Sequence, residues 1–195
     1  MTGRWVWLAG GLLCSGAARA ATPEVELGAG YAISDRDTSA PAVALRVGED
    51  FGNLAASVRG LAIVGAEGLG YVSDGSRLDP TGFQAWQALA ELRAHTDGAR
   101  FQVHLALAGG IGKLLTSQPS VTEVFPLKGR LGLSWQASAG ARLLVSDSVW
   151  LGAEIAVPTW TRIFAERGGR STPVDDGSLQ GIVLLFSVGF RPHPH

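Results

Sequence analysis

The chain has 195 residues, of which 17% are charged and 27 are glycine. Its 16 basic and 17 acidic residues leave it almost neutral, and no basic run offers a surface to a nucleic-acid backbone. The low charge and high glycine content also argue against an intrinsically disordered chain and against an ordinary helical domain.

The first twenty residues have the layout of a secretory signal peptide. Arg4 precedes an apolar stretch from Trp5 to Leu13, and small residues then lead to Ala18-Arg19-Ala20, which has the A-x-A form of a cleavage site. The apolar stretch is too short for a transmembrane helix, which needs about 20 residues. We therefore expect residues 1–20 to be removed and Ala21 to begin the exported chain.

Export would also remove Cys14, the one cysteine of the sequence. The mature chain would then have no disulfide and no cysteine nucleophile. Arg4 and Arg19 leave with the signal, so 14 basic residues face 17 acidic ones and the net charge becomes −3. The remaining length suits a single domain, which we place at residues 21–190, followed by a short disordered tail at 191–195.

The mature chain alternates between apolar and small or polar residues in segments of about ten, the pattern of strands with two different faces. Val103 and Leu105, for example, alternate with Gln102 and His104. The segments are 24–31, 43–48, 56–62, 86–93, 101–108, 131–140, 151–157 and 182–190. They predict an all-β fold, an eight-stranded antiparallel up-and-down transmembrane β-barrel.

The connections between the segments alternate in length. Short turns are predicted at 49–52, 96–98 and 146–148, and longer loops at 34–40, 65–82, 114–127 and 165–178. Outer-membrane barrels are built in this way, with short periplasmic turns and long extracellular loops. The alternation therefore favours a membrane barrel over a soluble sandwich or lipocalin-like barrel.

The two faces of the segments indicate which side contacts lipid. The more polar faces consist mainly of Gly, Ala, Ser and Gln, which fit a cramped barrel interior, so we expect the apolar faces to point outward. The charges on the polar faces have both signs and could neutralise one another in a low-dielectric lumen. The predicted lumen charges are Glu26, Arg46, Arg59, Glu91, Arg93, His104, Arg142 and Glu154. The alternative is that they are solvated charges on a soluble sheet.

Aromatic residues cluster near both ends of the segments, as in the interfacial girdles of membrane barrels. On the side of the long loops we place Tyr31, Phe83, Trp86, Trp160 and Phe164. On the side of the short turns we place Phe51, Phe101, Trp150, Phe186 and Phe190.

The last segment, Gly181-Ile-Val-Leu-Leu-Phe-Ser-Val-Gly-Phe190, alternates and ends on an aromatic residue. With the architecture above, it resembles the small outer-membrane β-barrel family, which includes the transmembrane domain of outer-membrane protein A and the opacity-type barrels. The resemblance covers Glu24 to Phe190. It implies residence in the outer membrane of a Gram-negative bacterium, contact with outer-membrane lipid, and assembly by the barrel-insertion machinery, which reads such a terminal aromatic. The chain departs from the family in the residues after Phe190.

The glycine-rich and histidine-containing segments give no chemical motif. Gly109-Gly110-Ile111-Gly112-Lys113 lacks the glycine and Ser/Thr spacing of a phosphate loop, and we interpret it as the end of a strand. Gly132-Leu-Ser134-Trp-Gln136 lacks the closing glycine of a nucleophile elbow. His95 and His104 have no local His-x-Ser partner. We predict no catalytic residue, no cofactor and no metal.

These observations favour a monomeric barrel with a packed lumen and a structural or surface-interaction role, carried by its long loops, without catalysis. Eight strands leave room for side chains rather than for a wide channel. Three alternatives remain open: a narrow solute channel, a soluble barrel with an internal apolar ligand, and, with least support, a lipid-modifying barrel enzyme that uses His95 or His104.

Overall fold

The computed structural model of the protein describes residues 21–34, 39–65, 83–96, 98, 100–117, 127–167, 170–173 and 178–192. The predicted signal peptide at 1–20 lies outside these residues. The described residues form eleven strands: β1 Thr22–Ser34, β2 Ser39–Asp50, β3 Leu54–Ile63, β4 Phe83–His95, β5 Phe101–Ser117, β6 Leu127–Gly129, β7 Gly132–Leu144, β8 Val149–Thr161, β9 Ile163–Arg167, β10 Arg170–Pro173 and β11 Ser178–Phe190. No described residue belongs to a helix long and apolar enough to cross a bilayer.

Eight of the strands, all but β6, β9 and β10, are long and close into an antiparallel barrel. Closure occurs where β1 pairs with both β2 and β11, so that Val25 lies opposite Val47 on one side and Phe190 on the other. The remaining neighbours follow the chain, except that β5 pairs directly with β7. The predicted eight-stranded up-and-down barrel is confirmed.

Short turns join the strands at one end of the barrel. In the turn after β2, Gly52 has a φ of 107°, which only glycine adopts without strain, and its N–H donates to Asp50 Oδ1 at 2.7 Å. In the turn after β7, the Ser146 hydroxyl accepts from the N–H groups of Ser148 and Val149. Side chains thus satisfy backbone groups that the sheet leaves unpaired.

The long-loop end contains more sheet than predicted. The sequence predicts a loop at 114–127, but β5 continues to Ser117, and Gly109 to Lys113 lie within this strand rather than at its end. The sequence also predicts a loop at 165–178, but this segment contains the end of β9 and all of β10. Strand β6 pairs with the end of β5, β9 pairs with β6, and β10 pairs with β9. Together they extend the barrel wall at one side. We call these three strands the sheet extension.

The outer surface of the barrel is apolar on all eight long strands. Leu107, Leu133 and Phe186 are each at least 70% exposed, and every long strand contributes at least one exposed large hydrophobic side chain. The charged residues that face outward from these strands are Glu49, next to a short turn, and Lys113, towards the long-loop end. An apolar belt bounded by charges is the surface of a protein solvated by lipid, and it rules out the soluble arrangement, in which this face would be polar.

The belt predicts a strong penalty for a charge near its middle. Replacing Leu107 by arginine should destabilise the barrel by about 2–4 kcal/mol, because the guanidinium would lie in hydrocarbon. Urea unfolding of the protein in lipid vesicles would measure the difference. Leu107→Ala is the matched control, since it removes the same apolar contact without adding charge. Equal stability of the two variants would contradict a lipid-facing position for residue 107.

Candidate functional site

The barrel interior is strongly charged in the half nearer the short turns. Every residue of the predicted lumen charge set is buried there: Glu26, Arg46, Arg59, Glu91, Arg93, His104, Arg142 and Glu154. Glu24 and Asp50 are buried beside them. We call these ten residues the lumen network. Successive side chains of a strand point to opposite faces, so inward and outward positions alternate along it. Each of these ten residues occupies an inward position, and we call this alternation strand parity.

Arg46 is the centre of the lumen network. Its Nη2 lies 2.7 Å from Glu154 Oε2, its Nε lies 2.7 Å from Glu91 Oε1, and its Nη1 lies 3.0 Å from Glu26 Oε2. These carboxylates come from β8, β4 and β1, so one guanidinium on β2 links three other walls of the barrel. A planar group with five donors suits such multiple pairing better than a lysine would.

Arg59 reinforces the same carboxylates from β3. Its Nη1 lies 2.5 Å from Glu154 Oε1 and 3.2 Å from Glu91 Oε2. The side-chain oxygen of Gln136, in the amide orientation that makes it an acceptor, lies 3.0 Å from the same Nη1. Arg46 and Arg59 therefore share two carboxylates, and repulsion between the two cations is offset by the anions between them.

Arg93 and Arg142 form a second group, nearer the short turns. Arg142 Nη1 donates to Glu24 Oε2 at 3.1 Å, and Arg142 also pairs with Glu26. Arg93 pairs with Glu24 and lies 3.5 Å from Glu26. Glu26 thus contacts both Arg46 and Arg142, and it joins the two groups into one network.

The short-turn end is closed by residues that sequence analysis assigned elsewhere. Arg191, expected in a disordered tail, donates to Asp50 Oδ2 at 2.6 Å and to Ser148 O through its backbone N–H. The expectation is therefore wrong for Arg191. Its guanidinium also lies 5.9 Å from the ring of Trp150, and a cation near an aromatic face is attracted to it. These contacts place a charged side chain across the mouth of the lumen.

Carboxylates and guanidinium groups are equal in number in this region of the described chain when Arg191, at the mouth of the lumen, is counted with the buried arginines. Five acids (Glu24, Glu26, Asp50, Glu91 and Glu154) face four buried arginines and the quarter-exposed Arg191. Charges taken out of water are tolerated only when they are paired and hydrogen-bonded, and an equal count allows every one to be neutralised.

The long-loop half of the interior is closed by apolar packing instead. Between the two halves lies a layer of polar side chains, Gln87 and Ser134, which we call the polar level. Gln87 Nε2 donates to Ser134 Oγ at 2.6 Å, and Ser134 Oγ donates to Thr159 O at 2.6 Å. Beyond it lie buried hydrophobic side chains, which we call the apolar cap: Ala32, Ala40, Ala42, Leu61, Ile63, Ala85, Leu114, Ala156, Trp160, Ile163, Val183 and Leu185.

The cavity inside the charged half is small. The cavity beside Arg46 and Glu154 measures about 10 Å³, about the space of one water molecule. His104 lies 3.3 Å from Glu154 and His95 lies 3.3 Å from Asp50, and both rings are buried in the packed interior. In the part of the chain that the structure describes, no three His, Cys, Asp or Glu side chains are placed to hold a metal ion.

The predicted aromatic girdles are partly wrong. Tyr31, Phe101 and Phe190 point outward and are about half exposed, and Trp86 also faces outward. Trp150 and Trp160 do not, since they are 3% and 0% exposed and lie in the lumen.

The corrections have a local reason in strand parity. Trp150 and Trp160 share the inward parity of Glu154, and Trp150 fits because Gly189 on β11 leaves room for its ring. Parity would also have identified Glu24 and Asp50, which stand two and four positions from predicted lumen residues on their own strands. Arg191 continues the inward parity of Gly189 past the end of β11, but the sequence gives no signal that its partner is Asp50.

Comparison with known proteins shows the fold. No family model and no curated protein matches the chain. Among solved structures, Neisserial surface protein A is 11% identical, with 90% of this chain and 99% of that chain covered and a TM-score of 0.58. OprG from Pseudomonas aeruginosa is 10% identical (91% and 99% covered, TM-score 0.52). Ail of Yersinia pestis, solved with the heparin analogue sucrose octasulfate, is 14% identical (89% and 100% covered, TM-score 0.51).

The chain has the fold of the small outer-membrane β-barrels. At these identities the likeness concerns the fold alone. The chain's own residues form an apolar, lipid-facing outer surface and a charged interior, and both features agree with residence in an outer membrane.

The lumen network predicts a large effect from removing its central cation. Arg46→Met should destabilise the barrel by about 3–5 kcal/mol, because it leaves buried carboxylates without their common partner. Unfolding in urea, followed by the loss of heat-modifiable migration on gels, would measure it. Val47→Met is the matched control, since it places the same side chain on the next, outward-facing position. A similar stability of both variants would show that Arg46 is dispensable.

Proposed function

We propose that the protein is a closed, monomeric outer-membrane barrel that acts as a structural or surface-interaction component through its long-loop end, and that it neither conducts solutes nor catalyses a reaction. The observation that carries this proposal is the filled lumen. Ion pairs close one half and hydrophobic packing closes the other, so a solute would have to displace both. The histidines considered for an enzyme are buried in the charged half, where His95 lies beside Asp50 and His104 beside Glu154, away from any substrate in the membrane or in water.

The sheet extension supports a role at the long-loop end. Strands β6, β9 and β10 continue the wall beyond β5, and backbone hydrogen bonds hold them in line with the barrel. Arg130 stacks on Phe164 at 4.9 Å, and Arg162 Nη1 donates to Leu131 O at 3.2 Å. A supported surface loses less conformational entropy on binding a partner than a free loop does. Among the described residues, the short-turn end has no comparable strand beyond the barrel wall.

A closed lumen predicts that the protein forms no channel. In planar bilayers, the folded protein should give no discrete conductance steps, whereas a porin reconstituted in the same way should. Trp160→Ala opens space in the apolar cap only, and this variant should also stay closed because the lumen network remains. Steps that appear with folded wild-type protein and vanish after it is boiled would support the narrow channel instead.

Surface exposure of the sheet extension can be tested with an epitope tag. A tag inserted between β9 and β10, at residues 168–169, should bind antibody on intact cells. The same tag inserted in the short turn after β7 should bind only after the outer membrane is permeabilised. Both proteins must show heat-modifiable migration, which demonstrates that the barrel has folded. Labelling of the short-turn tag on intact cells would reverse the proposed orientation and exclude this role for the sheet extension.

A further inference from the structure

An apolar groove interrupts the lipid-facing wall of the barrel at strand β3. Its volume is about 340 Å³, within the range of small-ligand sites, roughly 300–1,000 Å³. The outward residues that line it are Leu27, Val43, Leu45, Gly60, Ala62 and Trp86. A side chain at Gly60 would meet only Leu45 O, at 4.0 Å, so the space that a side chain would fill at Gly60 is open.

The groove has a direction relative to the membrane. Ala62 pairs with Trp86, whereas Gly60 pairs with Ala88, which lies two residues nearer the short turns along β4. Trp86 therefore stands at the end towards the long loops, and the groove runs from it towards the middle of the bilayer. Indole rings favour the level where hydrocarbon meets head groups. An occupant of matching shape is a hydrocarbon chain with a polar group at the Trp86 end.

Lys113 stands beside that end of the groove. It pairs with Trp86 across β4 and β5 and faces outward. Of the outward residues on the long strands, it alone carries a charge in the half nearer the loops, and it has no ion pair with another described residue. A lysine at this position extends its stem along the wall and places its ammonium among the head groups. A cation there complements a phosphate.

We propose that the groove binds lipid A of the outer leaflet, with one acyl chain seated over Gly60 and a phosphate paired with Lys113. The choice of leaflet rests on the proposed orientation, in which the long loops face the outside. Lipid A is the phosphorylated, acylated lipid of that leaflet in Gram-negative bacteria. The proposal adds a ligand to the wall of the barrel and does not depend on any partner of the sheet extension.

The test is to measure lipid A retained by the full chain. Protein would be extracted from outer membranes in mild detergent and passed through size exclusion, and the molar ratio of lipid A to protein would be determined by mass spectrometry. Wild-type protein should retain about one lipid A. Gly60→Leu fills the groove and Lys113→Gln removes the cation, so both variants should retain several-fold less. Lys113→Arg should restore retention.

Ala153→Leu is the matched control, since it enlarges an outward residue on β8, away from the groove, and should retain lipid A like wild type. All variants must show heat-modifiable migration, which separates loss of the lipid from loss of the fold. Equal retention by every variant would overturn the proposal, as would a glycerophospholipid in place of lipid A. The epitope-tag experiment tests the orientation separately, so its failure can be distinguished from failure of the groove itself.

Discussion

The interaction on which the rest of the structure depends is the pairing of Arg46 with carboxylates from three other strands. In a barrel surrounded by lipid, a charged side chain on the inner face can be neutralised only by another inner-face group. If strand pairing slipped by one residue, the side chains of Arg46 and its partners would point outward into the hydrocarbon of the membrane. Backbone hydrogen bonds form in many registers, so the charges are what distinguish the correct one.

The two halves of the lumen are closed by different physical means. The lumen network tolerates no unpaired member, since a single orphaned charge in a low dielectric is costly. The apolar cap is held by packing, in which the large indole of Trp160 is buried in one cluster with small residues such as Ala32 and Ala156. A path through the barrel would need both arrangements to fail together, and the polar level at Gln87 and Ser134 keeps them separate.

Much of this could be predicted from the sequence, because alternation with period two fixes the strands and their faces. The inward placement of Glu26 and Arg46 follows from it directly. The partners do not, since Arg46 and Glu154 are 108 residues apart and meet only through the stagger of the closed barrel. The hairpin of β9 and β10 was missed although Gly168-Gly169 is a recognised hairpin dipeptide. Trp150 and Trp160 are aromatic, which favours the membrane interface, but their positions on β8 face inward, and this alternation decides where they lie.

Closure of the barrel joins the first and last long strands, and the charges reinforce this seam. Arg191 follows β11 directly, and its guanidinium pairs with Asp50 on β2 and lies 3.9 Å from Glu24 on β1. Phe190, one residue earlier, points into lipid. Adjacent residues thus face opposite sides of the barrel wall, as strand geometry requires. Phe190 contacts the membrane, and Arg191 closes the lumen. The seam is therefore secured by backbone pairing along its length and by an ion pair at its end.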